Sequence, residues 1–210
     1  MPNKKEIVLV GGGGHALACL DVIEATNEYH VVGVLDMSPT NLPVPYLGKD
    51  EIAPHLIQNK PHLLFINTVG QVRFTTSRRR IHDFYTSIGV QWATVISPLA
   101  YVSPHALIGE GSIIMHGAIV NAGAEIGNQC IINTRAIIEH GVSVGDFCHV
   151  STNAVINGDS ILGSDTLVGS SATLIQGVRV TDFVVIGANS TVVKSINEEG
   201  IYVGSPIRKM

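Results

Sequence analysis

The sequence predicts a chain in two parts: a small parallel α/β domain over residues 1–95, then an all-β parallel β-helix over residues 96–210. Three observations predict it. From Ile96 to Val192 an aliphatic residue recurs every six positions without a slip. Four residues after each member stands a small or β-branched residue, as at Ala100, Ala106, Ser112, Ala118, Ala124 and Cys130. Before Ile96 the pattern changes to strands alternating with helices, beginning with "IVLVGGGGHALACL".

Composition agrees. Of 210 residues, 14% are charged and 5% aromatic, while 45% are hydrophobic and 22 are Gly, so the core must be made of small aliphatic side chains. A net charge of −4 argues against a general nucleic-acid binder or a membrane-surface binder. The three cysteines, Cys19, Cys130 and Cys148, lie in apolar runs without paired spacing and read as buried thiols in a reducing compartment. The apolar run near the N-terminus is too short for a signal peptide or a membrane span, so a cytoplasmic location is expected.

In the first part, "IVLV" (7–10), "VVGVLD" (31–36) and "HLLFIN" (62–67) read as strands. "HALACLDVIEATN" (15–27) reads as a helix with Leu17, Leu20 and Ile23 on one face. A second helix is expected over 72–89, with Val72, Ile81, Phe84, Tyr85 and Ile88 as its apolar members and "SRRR" (77–80) as a solvated face. Pro43, Pro45 and Gly48 mark a loop. The sum is βαβαβ, like half a Rossmann fold.

In the second part each hexad gives one short strand and one corner. The aliphatic residue points inward and the small residue fits inside the corner. Three hexads close a triangular coil, and coils stack at about 4.8 Å, the inter-strand spacing. Residues 18 apart therefore lie above one another. With no insertion in the series, no loop leaves the tube to form a site, and any site must use the outer surface.

The glycine run suggests chemistry. A strand, then "GGGG", then a helix N-terminus offers backbone N–H groups and a positive dipole end to a phosphate. Gly11, Gly13 and Ala16 satisfy a G-x-G-x-x-[G/A] spacing, and Asp36 at the end of the second strand is placed to hold a ribose hydroxyl. That points to a nucleotide without saying which. A dinucleotide fits less well, because only half of a doubly wound sheet is present.

"VGGGGHA" with "VLD", then an unbroken hexad tube containing "IIEHG" and "GDFCHVS", and finally "GIYVGSPIRKM", resemble the sialic-acid O-acetyltransferase-like sugar acyltransferases of the hexapeptide-repeat superfamily. Within them the chain is most similar to the bacterial nucleotide-linked amino-sugar N-acetyltransferases. The resemblance spans essentially the whole chain. It implies a left-handed β-helix, a handedness that spacing alone does not give. It also implies a homotrimer, acetyl-CoA lying between neighbouring tubes, no metal, and a first domain that holds the nucleotide sugar.

By resemblance, the reaction is transfer of the acetyl group of acetyl-CoA to the amine of a nucleotide-linked 4-amino-4,6-dideoxy sugar. The product would serve surface-glycan biosynthesis (O-antigen, capsule or glycoprotein), with thymidine, uridine or guanosine as the nucleoside. His140 matches the general base. His149, Ser170 and Ala188 match the cofactor wall. Gly13, Gly14, His15, Asp36, Met37 and Gly70 face the nucleotide sugar, Arg73 is a phosphate partner, and Arg208 and Lys209 meet the CoA phosphates. Relatives place an acidic residue directly after the base, where this chain has Gly141, so the orienting carboxylate is missing or comes from elsewhere.

The alternatives are sugar O-acetylation and a non-catalytic subunit that binds a nucleotide sugar. A zinc enzyme is disfavoured, because His140 and His149 are nine apart and lack the convergent third histidine. His116 lies 24 residues before His140, which is not a multiple of 18, and is expected on another face.

Overall fold

The structure, a computed structural model, describes residues 4–72 and 76–210. The chain divides into two units. One takes residues up to 70 together with 76–95; the other takes Gln71, Val72 and everything from Ile96 onward.

The first unit is a parallel sheet in the order β3-β2-β1-β4-β5. Its strands are β1 (Lys5–Val10), β2 (Tyr29–Leu35), β3 (Tyr46–Gly48), β4 (Leu64–Asn67) and β5 (Gln91–Trp92). The run Ile7–Val10 is buried on both sides, as a central parallel strand requires. The edge strands β3 and β5 carry two or three residues each and were too short to show a sequence period. The helices are α1 (Gly14–Thr26), α2 (Ala53–Asn59) and α3 (Thr76–Ser87).

Three expectations are corrected here. Helix α1 buries Ala16, Cys19, Leu20, Val22 and Ile23, so Leu20 and Ile23 face inward as expected, but Leu17 is 55% exposed. Val72 lies before α3 and is 87% exposed. "SRRR" is not wholly solvated: Arg78 is 2% exposed and its Nη1 donates to the Val69 carbonyl at 2.9 Å. Arginine composition predicted a wet surface, but α3 turns this one inward.

The second unit is a left-handed β-helix of three faces. The first face runs from Tyr101–Val102 through Ile119–Val120, Ile137–Ile138, Val155–Ile156 and Thr173–Leu174 to Thr191–Val192. The second runs from Leu107–Ile108 to Arg179–Val180. The third includes Ile113–Ile114, Ile131–Ile132, His149–Val150 and Leu167–Val168, and ends in a hairpin of Gly200–Gly204 with Ile207–Lys209. The 18-residue register holds: Ile119 pairs with Ile137, and Ile137 with Val155. From Ile114 to Val192 the expected aliphatic series and its small corner residues form the buried core, with Ile132, Ile138, Val150, Ala136 and Cys148 fully covered; at the start of the tube Ile96 is 39% exposed and Ala100, Val102, Ala106 and Ile108 are only partly buried. All three cysteines are free and buried.

After the first two corners, at Leu99 and His105, each hexad up to that of Ile186 turns its corner through one left-handed residue. From Gly111 to Asn189 these recur every six positions with φ between +55° and +73°. Gly, Asn and Asp suit such positions because they tolerate left-handed backbone.

Candidate functional site

Two places carry the expected residues, one in each unit. In the first unit the glycine turn separates into two pairs. Gly11 has φ +96°, and a Cβ there would strike Val69. A Cβ on Gly12 would strike the Thr40 side chain. The fold itself therefore requires these two. Gly13 and Gly14 are different: added Cβ atoms would meet nothing within 4 Å. They open onto a cavity of about 480 Å³ lined by Gly12, Gly13, Gly14, Leu17, Asp36 and the 38–42 segment, the size of an ordinary small-molecule site. Gly13 caps α1 with no side-chain hydrogen bond, so the helix end faces this space with bare backbone.

Asp36 lines the cavity, but its carboxylate is already engaged. Oδ2 accepts from the Gly12 N–H at 2.6 Å and Oδ1 from the Ser38 N–H at 3.3 Å. Met37 is 68% exposed and is not among the residues lining the cavity. His15 sits behind the turn against Gly70, where a Cβ would lie 3.1 Å from the His15 Cβ. Burial, with the Arg78 charge adding to it, pulls the His15 pKa from 6.5 to about 4, so the ring is neutral at pH 7. Arg73, expected at a phosphate, lies outside the described residues. Arg78, which sequence reasoning assigned to the surface, is the buried cation behind this turn.

In the second unit His140 stands on the corner that follows Ile137–Ile138, exposed, with its side chain 62% accessible. Its ring lies over Gly158, one coil on. The carboxylate of Asp159 lies 3.9 Å from its Nδ1. Glu139 turns the other way and accepts from the Asn121 amide at 3.0 Å. His116 is engaged elsewhere, 2.6 Å from Ser97 Oγ. The sequence left open a carboxylate from elsewhere, and the 18-residue register points to one: Asp159 stacks on Gly141.

His149 is 7% exposed, on the outward side of the third face. Its Nδ1 is 3.2 Å from the Gln71 carbonyl and its Nε2 is 3.0 Å from Asn133 Nδ2. A carbonyl can only accept, so Nδ1 carries the proton and Nε2 accepts from the amide. Both nitrogens are thus engaged within the chain. Ser170 and Ala188 are exposed and stack on the corner after the third face, where the Asn189 N–H donates to the Ser170 carbonyl at 2.8 Å. His140 stands on the corner after the first face. One chain therefore does not bring the expected base and the expected cofactor wall to the same edge of the tube. Arg208 is exposed, while Lys209 pairs with Glu198 at 2.8 Å.

The comparisons match both parts. The PglD N-terminal domain family covers residues 6–82, and the hexapeptide repeat of succinyl-transferase covers 123–157 and 161–194. UDP-N-acetylbacillosamine N-acetyltransferase of Bacillus subtilis is 32% identical over 114 residues. That match takes in 53% of this chain and 51% of the relative, so it spans only about half of the relative's length. PerB from Caulobacter crescentus, solved with CoA and GDP-perosamine, superposes with a TM-score of 0.92 at 29% identity over 98% of this chain and 97% of its own. The acetyltransferase domain of PglB from Neisseria gonorrhoeae, solved with acetyl coenzyme A, gives 0.89 at 26% identity over 99% and 100%. Matched in each of its parts and superposed along almost its whole length, the chain is similar throughout to hexapeptide-repeat acetyltransferases that act on nucleotide-linked sugars.

Proposed function

We propose that this protein transfers the acetyl group of acetyl-CoA to the amine of a nucleotide-linked 4-amino-4,6-dideoxy sugar, in the cytoplasm, for surface-glycan synthesis. The observation that carries the proposal is the exposed His140 on a tube of the same shape as PerB, whose structure holds CoA and GDP-perosamine. The Gly13–Gly14 turn supports it by offering a cavity and a bare helix end to a diphosphate.

The chemistry follows from what the groups can do. The sugar nitrogen attacks the thioester carbon, forming the C–N bond. The nitrogen's proton passes to the unprotonated Nε2 of His140. The C–S bond then breaks and the thiolate leaves, taking up a proton to give CoA. Holding the two reactants in line lowers the barrier by several kcal/mol, on the order of 7–11 at best.

Because His140 and the Ser170–Ala188 wall stand on different corners of one tube, a complete site needs a neighbouring copy, which supports a homotrimer. The half-buried aliphatic outer side of the first face, Ile119, Ile137 and Val155, suits such packing. His149 supports the cofactor groove by fixing Asn133 and Gln71 rather than by touching acetyl-CoA.

The test is CoA release from acetyl-CoA against a panel of uridine-, thymidine- and guanosine-diphosphate 4-amino-dideoxy sugars. One sugar should turn over. Binding without turnover would support a non-catalytic subunit instead, and turnover only with a hydroxyl acceptor would support O-acetylation.

A further inference from the structure

We propose that Asp159 is the positioning residue for His140, supplying from the next coil the carboxylate that Gly141 does not. The inference rests on the reading of His140 as the base.

The two coils are built reciprocally. His140 and Gly141 occupy successive corner positions, and Gly158 and Asp159 occupy the same positions one coil on. A Cβ on Gly158 would lie 2.5 Å from Cε1 and 2.6 Å from Nε2 of His140. A Cβ on Gly141 would lie 2.5 Å from Oδ1 of Asp159. Each glycine is thus the space that the other coil's side chain occupies. The backbones are joined at the same point, where the Asp159 N–H donates to the His140 carbonyl at 3.0 Å.

The acids around His140 are distinguishable. Glu139, on the same corner, accepts from Asn121 Nδ2 and lies 3.4 Å from the His140 backbone N–H, so its charge faces the preceding coil and the main chain. That preceding coil presents Ala122 at this position, whose carbonyl accepts from the Gly141 N–H. Asp159 is the acid that faces the ring, with Oδ1 3.9 Å from Nδ1. A small rotation of either side chain brings this to hydrogen-bond length, and unliganded sites commonly show such contacts long. With Nδ1–H donating to Asp159, Nε2 is left unprotonated to accept from the amine, and the imidazolium formed is stabilised by the adjacent negative charge.

A side chain at 141 and a carboxylate at 159 compete for one volume. An acid at either position serves the same ring. Both positions are left-handed, with φ +65° at Gly141 and +58° at Asp159, so Asp is tolerated at either.

The test compares wild type, Asp159→Gly and the exchange variant Gly141→Asp/Asp159→Gly, using protein labelled at the histidine ring nitrogens with ¹⁵N. The His140 signals are assigned by their absence in His140→Ala. In wild type the neutral His140 ring should carry its proton on Nδ1, facing Asp159, and in Asp159→Gly the proton should shift to Nε2. The rate should fall about tenfold in Asp159→Gly, less than the roughly 10²–10⁴ for losing a general base itself, with KM for acetyl-CoA unchanged. The exchange variant should restore both tautomer and rate. An unchanged His140 tautomer in Asp159→Gly overturns the proposal, as does an exchange variant that folds but stays as slow as Asp159→Gly. If wild type turns over no amino sugar, the acetyl-transfer reading fails, while the tautomer still decides whether Asp159 pairs with His140.

Discussion

The Asp36 carboxylate holds the glycine turn: its Oδ2 accepts from the Gly12 N–H at 2.6 Å. The sequence suggested a ribose partner, but the structure shows a strand end that first shapes the turn. Asp36→Ala should lower the free energy of unfolding by about 1.5–3 kcal/mol, the range for a hydrogen bond to a charged group. Urea unfolding would read it. Unchanged stability together with lost sugar binding would restore the simple ribose reading.

The glycines should divide by their surroundings. Gly14→Ala meets no neighbour and opens α1 with a better helix former, so it should be as stable as wild type or up to about 1 kcal/mol more stable. It should nevertheless bind the nucleotide sugar at least about tenfold more weakly, because even one methyl group spoils close approach to backbone N–H groups. Gly12→Ala strikes Thr40 and should lose stability as well. Thermal melts beside calorimetric titration would separate the two.

His15 makes the first unit sensitive to acid. Its folded pKa of about 4 lies below the ordinary 6.5, so between these values the unfolded chain binds a proton that the folded chain does not. Its contribution is fully present above pH 6.5 and is lost as pH falls toward 4, on the order of 3 kcal/mol in total. His15→Gln should flatten the stability curve in that window. A curve of unchanged slope would show that the ring is more hydrated than its position implies.

His140→Ala should separate activity from stability. The side chain is exposed, so stability should change by less than about 0.5 kcal/mol. The rate should fall by roughly 10²–10⁴ if it acts as the general base. A variant nearly as fast as wild type would leave alignment of the reactants as the main source of rate.

Subunit mixing tests the split site. Ala188→Glu should place a charge on the exposed corner proposed as the cofactor wall and abolish acetyl transfer without unfolding the tube. Co-assembled with His140→Ala, it should regain measurable activity, because some interfaces then pair an intact base with an intact wall. Inactive mixtures would put both groups of one site on one chain.

The sequence alone determined the tube. An aliphatic residue every six positions is buried by coiling three hexads per turn, with the hand left open by the spacing, and that period also set which residues stack, as Ile119, Ile137 and Val155 do. It also determined the strand–turn–helix of "IVLVGGGGHA", because a central strand buried on both faces reads as an unbroken apolar run. Tertiary structure decided what no local pattern encodes. The short edge strands β3 and β5 exist only because a neighbouring strand offers them unpaired backbone groups. Arg78 is buried, against the preference of its side chain, because α3 is turned by packing rather than by charge. Asp159 faces His140 because stacking brings together residues 18 apart, and a carboxylate acts by where it lies in space, not by where it lies in the chain.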